Sequence, residues 1–191
     1  MAIAIKKTVP ISEGGNVLSS TLSTAEGAQL TSERPKPSIS VRQPLLSEIL
    51  TKVHKAKLYD DKLRILKEED CLALRQICQW SFNPNIVSEL PPGDPPYIEN
   101  DAPEGTEHTI LRTESNGLWH FVKTNGKSAD PNIQQTVRER MFIRLLEGLH
   151  KDEAKLLCDV KEKSLHQVYK GLSTQVVSEA FGWNEEFQEY K

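Results

Sequence analysis

Residues 132–183 read NIQQTVRERMFIRLLEGLHKDEAKLLCDVKEKSLHQVYKGLSTQVVSEAFGW, the longest stretch of the chain with a sustained helical pattern. Ile133, Val137, Met141 and Leu145 recur every four residues, with Phe142, Leu146 and Leu149 beside them. That spacing places them on one broad apolar face, and it leaves Gln134, Arg138, Glu139 and Arg144 to cover the other. Asn132 is the expected N-cap, because Pro131 disfavours an earlier helical start. Gly148 marks the end of this helix. A second helix is expected from Lys151 or Asp152, with acidic residues in its first turn and Lys161 and Lys163 in its last. That order of charge complements the helix dipole. Its apolar residues are Ala154, Leu156, Leu157, Cys158 and Val160. Gly171 then stops a short segment, and Ser173 or Thr174 caps a third helix carrying Val176, Val177, Ala180 and Phe181. Short connections favour antiparallel neighbours, so the stretch predicts a helical bundle.

Working outward, residues 44–83 continue the helical texture. Pro44 suits the first helical position, and Leu45, Leu46, Ile49, Leu50 and Val53 follow at helical spacing. Leu74, Ile77, Cys78 and Phe82 repeat the pattern with Cys71 a turn earlier, until Asn83-Pro84 ends it. Residues 84–131 form a loop-rich insert. LPPGDPPY at 90–97 is a rigid, polyproline-like loop. It is not a WW-domain ligand, since Tyr97 directly follows Pro96. Within HTILRTESNGLWHFVKTNG, Asn116-Gly117 between two apolar runs predicts a β-hairpin. A helix interrupted by glycine is the alternative. The fold class expected is therefore mainly α: a small helical bundle over residues 44–183 with a proline-rich loop and a β-hairpin. An extended N-terminal arm, residues 1–43, precedes it, and a polar tail, residues 184–191, follows.

The arm is rich in Ser, Thr, Gly and Pro and has no aromatic residue. Its scattered apolar residues are too few to offset the entropy of ordering it alone. It is expected to be disordered in isolation or to order on a partner. Ala2-Ile3-Ala4-Ile5 alternates as a strand added to a sheet edge would. The 191-residue chain is 37% hydrophobic with a net charge of −3, so it lacks global attraction for nucleic acid or anionic lipid. No apolar run approaches the ~20 residues of a membrane-spanning helix. The first ten residues lack a signal-peptide core. Three cysteines without disulfide-like spacing point to reduced thiols and a cytoplasmic site of synthesis.

A search for chemistry returns little. The five histidines are dispersed. Glu147-x-x-His150 matches only half of a di-iron pattern and reads better as a surface pair at a helix end. Cys71 and Cys78 share a helical face and read as core thiols. No glycine-rich phosphate loop occurs. Arg138, Arg140 and Arg144, with Lys123 and Lys127, make a partial basic face interleaved with Glu139 and Glu147. A solvated helix surface explains it better than nucleic-acid binding does. No catalytic residue, metal ligand, cofactor or small-molecule ligand is expected. The candidate partner-binding residues are Ile3 and Ile5 in the arm and the aromatics Trp119, Trp183 and Phe187, because aromatics outside a core anchor partners.

Four motifs in order, Phe82-Asn83-Pro84, LPPGDPPY at 90–97, LLEGLHKDEAKLL at 145–157 and YKGLSTQVVSEAF at 169–181, resemble a protein family of T4-like tailed phages, including cyanophages. The resemblance covers roughly residues 45–183 and leaves out the arm. It transfers no activity and no functional residue. It implies a phage protein made in a bacterial cytoplasm. The reading that follows is a non-enzymatic virion or assembly adaptor located in the virion, which binds neighbouring phage subunits through its arm. An intracellular regulator of transcription or replication machinery is the alternative.

Overall fold

The computed structural model describes residues 43–103, 107–184 and 187. The expectations for the arm therefore lie outside the described residues, apart from Gln43, which is exposed.

Three helices open the body: α1 (Leu46–Lys55), α2 (Tyr59–Glu68) and α3 (Leu72–Phe82). Pro44 sits before α1 rather than inside it, and the Glu48 carboxylate accepts from the Leu45 amide at 2.9 Å in place of a capping hydroxyl. Leu46, Ile49, Leu50 and Val53 are fully buried, as their spacing predicts. Cys71 is not part of the helical face read for it. It is the N-cap of α3, where its Sγ accepts from the Leu74 amide at 3.5 Å. Of this pair only Cys78 is fully buried, while Cys71 packs against the core from its edge, and burial raises the Cys78 thiol far above the ordinary range.

The insert holds β1 (Ile86–Ser88), the proline loop, a one-turn α4 (Leu111–Glu114) and a 3₁₀ segment (Ser115–Phe121). It closes with β2 (Val122–Thr124) and β3 (Lys127–Ser128). The three strands form an antiparallel sheet in the order β1-β2-β3, with Val87 opposite Lys123 and Thr124 opposite Lys127. A hairpin is therefore present, but not where Asn116-Gly117 placed it. Residues 111–121 coil, and the turn is the next Asn-Gly pair. Asn125 and Gly126 both have positive φ, 52° and 75°, as a two-residue hairpin turn requires.

The second half is α5 (Gln135–Gly148), α6 (Lys151–Lys161), α7 (Leu165–Val168) and α8 (Thr174–Phe181). α5 starts later than Asn132, with Gln134 as its N-cap. Its buried face is also rotated by one residue from the expected stripe. Arg138, Phe142, Leu146 and Leu149 point inward, while Val137 is 42% exposed and Met141 and Leu145 are only partly covered. α6 and α8 follow the sequence reading closely. Ser173 Oγ accepts from the Val176 amide, and Gly171 at φ 90° ends the preceding segment. The left-handed conformation there favours glycine, and a Cβ would also displace the end of the Lys62 side chain, 2.6 Å away.

Helix α3 lies at the centre, packed on α6, α8, the 3₁₀ segment and β1. Phe121 meets Phe142 edge to face at 5.2 Å and ties the insert to α5. Two buried charged groups inside this core join elements. Glu153, on α6, accepts from the Leu46 amide at 3.1 Å and the Leu111 amide at 2.9 Å, so one carboxylate caps both α1 and α4. Lys161 donates to the carbonyls of Pro91 and Gly93 at 2.9 and 2.8 Å and also to Glu162, which holds the proline loop against α6.

Candidate partner-binding cleft

Trp119 is 46% exposed, the largest side chain on the surface of the body. Its position follows from the 3₁₀ segment. Leu118 and Phe121 turn inward, which leaves Trp119 outside, stacked on His120 with ring centroids 3.7 Å apart. His120 is itself held, since its Nδ1 lies 3.2 Å from the Asp130 carboxylate. The main chain is also pinned here, because Arg138 Nε donates to the His120 carbonyl at 2.8 Å.

Beside His120 a cleft of about 470 Å³ opens between the 3₁₀ segment and α5. Phe121, Met141 and Leu145 form its apolar part, and His108, Glu114, His120 and Arg144 are polar groups at its edge. Glu114 is engaged by the Thr109 hydroxyl at 2.6 Å. A larger cleft of about 680 Å³ lies between α1 and α6. There Lys52, Lys55 and Lys155 are interspersed with Glu48, Asp152 and Asp159, so no single charge dominates.

The aromatics expected to anchor a partner divide. Trp183 and Phe187 are 3% and 5% exposed. Trp183 packs on Phe181 at 4.8 Å and on Phe187 at 5.9 Å, and Gln79 donates to the Phe187 carbonyl. Gly182 at φ 66° turns the chain back over α3 and α8, so these rings complete the core instead of projecting from it. They are withdrawn as partner contacts. Ile3 and Ile5 lie outside the described residues. Of the five candidates, Trp119 alone is placed on the described surface.

The Glu147–His150 pair also separates. His150 is buried and its Nδ1 caps α6 by accepting from the Asp152 amide at 3.2 Å, whereas Glu147 accepts from the Ile98 amide. The two side chains hold different segments. The partial basic face loses Arg138 to the interior, where it meets Glu89 at 3.0 Å. Burial pushes the Cys158 thiol up to about 11, which keeps it protonated and poorly nucleophilic at neutral pH. Among the described residues no three His, Cys, Asp or Glu side chains gather as metal ligands would, and no helix is long and apolar enough to cross a membrane.

The cleft residues Met141 and Leu145 escaped the sequence reading because their spacing matches a core stripe. What could have separated them is Phe142 and Leu146, a bulkier stripe one residue along. These features define a small, mainly helical body. The chain belongs to a family of unknown function, DUF6433, whose model matches residues 49–167 and so spans the whole cleft. No curated protein and no solved structure matches it.

Proposed function

We propose that this is a non-enzymatic phage protein, a virion structural or assembly adaptor. Its arm, residues 1–43, engages a neighbouring subunit, and its helical body provides a rigid base. The phage assignment rests on the four ordered motifs between Phe82 and Phe181. The observation that carries the adaptor reading is how the body uses its buried polar side chains. Arg138, Glu153 and Lys161 each bond main-chain groups of other segments, which stiffens the body. Apolar surface is left at Trp119 and at Val137 on α5. Such a division suits binding better than turnover. Ile3 and Ile5 would add as a strand to the neighbour's sheet edge, with main-chain hydrogen bonds supplying affinity.

Quantitative mass spectrometry of gradient-purified phage particles tests this directly. Recovery of arm and body peptides at a fixed ratio to the capsid or tail proteins is the expected result. Strong expression in infected cells with no peptide in the particle would replace the adaptor with the intracellular regulator.

A further inference from the structure

We propose that Asn125, at the tip of the β2–β3 hairpin, is a site of spontaneous deamidation, and that its conversion breaks the register of β3. The chain carries two Asn-Gly pairs, at 116–117 and 125–126. In such a pair the main-chain nitrogen of the glycine attacks the asparagine Cγ, since a residue without a Cβ leaves its backbone open to close approach. The new N–Cγ bond closes a five-membered succinimide, and the side-chain amide leaves as ammonia. Water then opens the ring at either carbonyl. Opening at Cγ gives aspartate. Opening at the main-chain carbonyl gives isoaspartate, in which the chain runs on through Cβ and Cγ.

The fold separates the two pairs. Asn125 and Gly126 are exposed, and neither the Asn125 carboxamide nor the Gly126 N–H has a hydrogen-bond partner among the described residues. Both lie in the turn at positive φ, outside the strand ladder. Gly117 instead lies inside the 3₁₀ segment, whose i→i+3 bonds hold main-chain amides in place. Asn116 Nδ2 donates to the Thr113 carbonyl at 3.5 Å. A nitrogen so engaged is a poorer nucleophile, and a carboxamide tied back to its own segment turns toward it less readily.

Conversion changes both the charge and the backbone of the hairpin. A cleft of about 460 Å³ beside Asn125 is lined by Gln79, Asn83, Asn85, Ile86, Thr124 and Phe187, none of them charged, so the product places a carboxylate where no charge stood. The isoaspartyl product also adds a main-chain carbon between β2 and β3. Thr124 then no longer faces Lys127, nor Lys123 Ser128, because a two-residue turn has no place for a longer link. Behind the turn, the Ser128 hydroxyl donates to Glu89 at 2.7 Å and the Asp130 carbonyl accepts from Arg138 at 2.9 Å. A slip of β3 therefore loosens the insert from α5.

The test ages the full chain in mildly alkaline buffer, since the attacking nitrogen must lose its proton, and follows both Asn-Gly peptides by mass spectrometry. Transfer of labelled methyl groups by an isoaspartate methyltransferase reports the isoaspartyl product. In the folded chain Asn125 is expected to convert at least about tenfold faster than Asn116, which must wait for its segment to open. In urea the two rates should converge. Asn125→Gly keeps a residue suited to the left-handed turn and should remove the methyl acceptor from the aged chain. The converted chain, separated by ion exchange, should melt at a lower temperature than Asn125→Asp, which has the same charge and an unaltered main chain. Equal rates at the two sites in the folded chain, or faster conversion at Asn116, would overturn the proposal. So would a difference that persists unchanged in urea, an undiminished methyl acceptor in Asn125→Gly, or a converted chain that melts with Asn125→Asp.

Discussion

Arg138 reaches from α5 into the insert and meets the His120 carbonyl, the Asp130 carbonyl and the Glu89 carboxylate at 2.8, 2.9 and 3.0 Å. Truncating it would leave the mostly buried Glu89 carboxylate with the Ser128 hydroxyl but no counter-charge, and would free two carbonyls at once. Arg138→Ala should therefore cost about 3 kcal/mol or more in chemical denaturation, since a broken buried pair leaves an uncompensated charge. Arg138→Lys should recover only part of that, because one ammonium cannot span three acceptors set around a planar fork. Glu153 makes a contrasting case. Burial raises its carboxyl above the ordinary glutamate value, and this outweighs the lowering by the Leu111 and Leu46 amides and by His150 and Arg112. A raised value means that the folded chain holds the proton more tightly than the unfolded one. The associated stability is full below the unfolded value and is lost as pH rises through the folded one. The stability difference should thus shift toward Glu153→Gln, which cannot ionise, as pH rises through and above the carboxylate range. Urea melts of both proteins across that range check this. A shift toward the wild type would show that the two amide bonds outweigh burial.

At the scale of elements, two Asn-Gly pairs nine residues apart have opposite fates. Gly117 has no positive φ and a Cβ there meets nothing within 4 Å, whereas Gly126 sits at φ 75° in the turn of the hairpin. Gly117→Ala should be neutral or stabilise by up to about 1 kcal/mol, through the entropy of the unfolded chain. Gly126→Ala should destabilise by about 1–2 kcal/mol, the cost of the left-handed region for a residue with a Cβ. Thermal denaturation of the two variants distinguishes them, and a loss of equal size at both sites would contradict the assigned turn. The dipeptide is the same in both places. What separates them is the neighbouring chain: Leu111, Leu118 and Phe121 can all be buried by a coil against α3, and strands through those positions would not bury the three together. The rotated face of α5 has a similar origin. Two apolar stripes compete, and the inward one is chosen by what faces it, Phe121 against Phe142 and the insert's carbonyls against Arg138.

At the scale of the whole molecule, the described residues of the helical body form one hydrophobic core cluster. Removing residues 1–40 should leave the circular-dichroism spectrum of the helices and the melting temperature of the body close to those of the full chain. Incorporation into particles should be lost. A truncated protein that fails to fold, or that enters particles at the full copy number, would contradict the assignment of binding to the arm. The mainly helical class, the proline loop, the start of α6 near Lys151 and the Ser173 cap of α8 were all legible in the sequence. Each rests on local chemistry, on periodicity, capping and restricted φ, which acts within a turn or two of the chain. The inward turn of Arg138, the return of Trp183 and Phe187 to the core, and the joining of two helix starts by Glu153 were not legible. Each is a contact between segments far apart in sequence, where a polar group is buried because its partners arrive from elsewhere. Periodicity counts apolar residues and cannot anticipate such partners. The sequence by itself determined the mainly helical class and most helix boundaries, though not the coil over 111–121 or the start of α5. The tertiary packing alone decided which of two apolar stripes on α5 went inside, because that choice depends on the Phe121 ring and the insert carbonyls that face it.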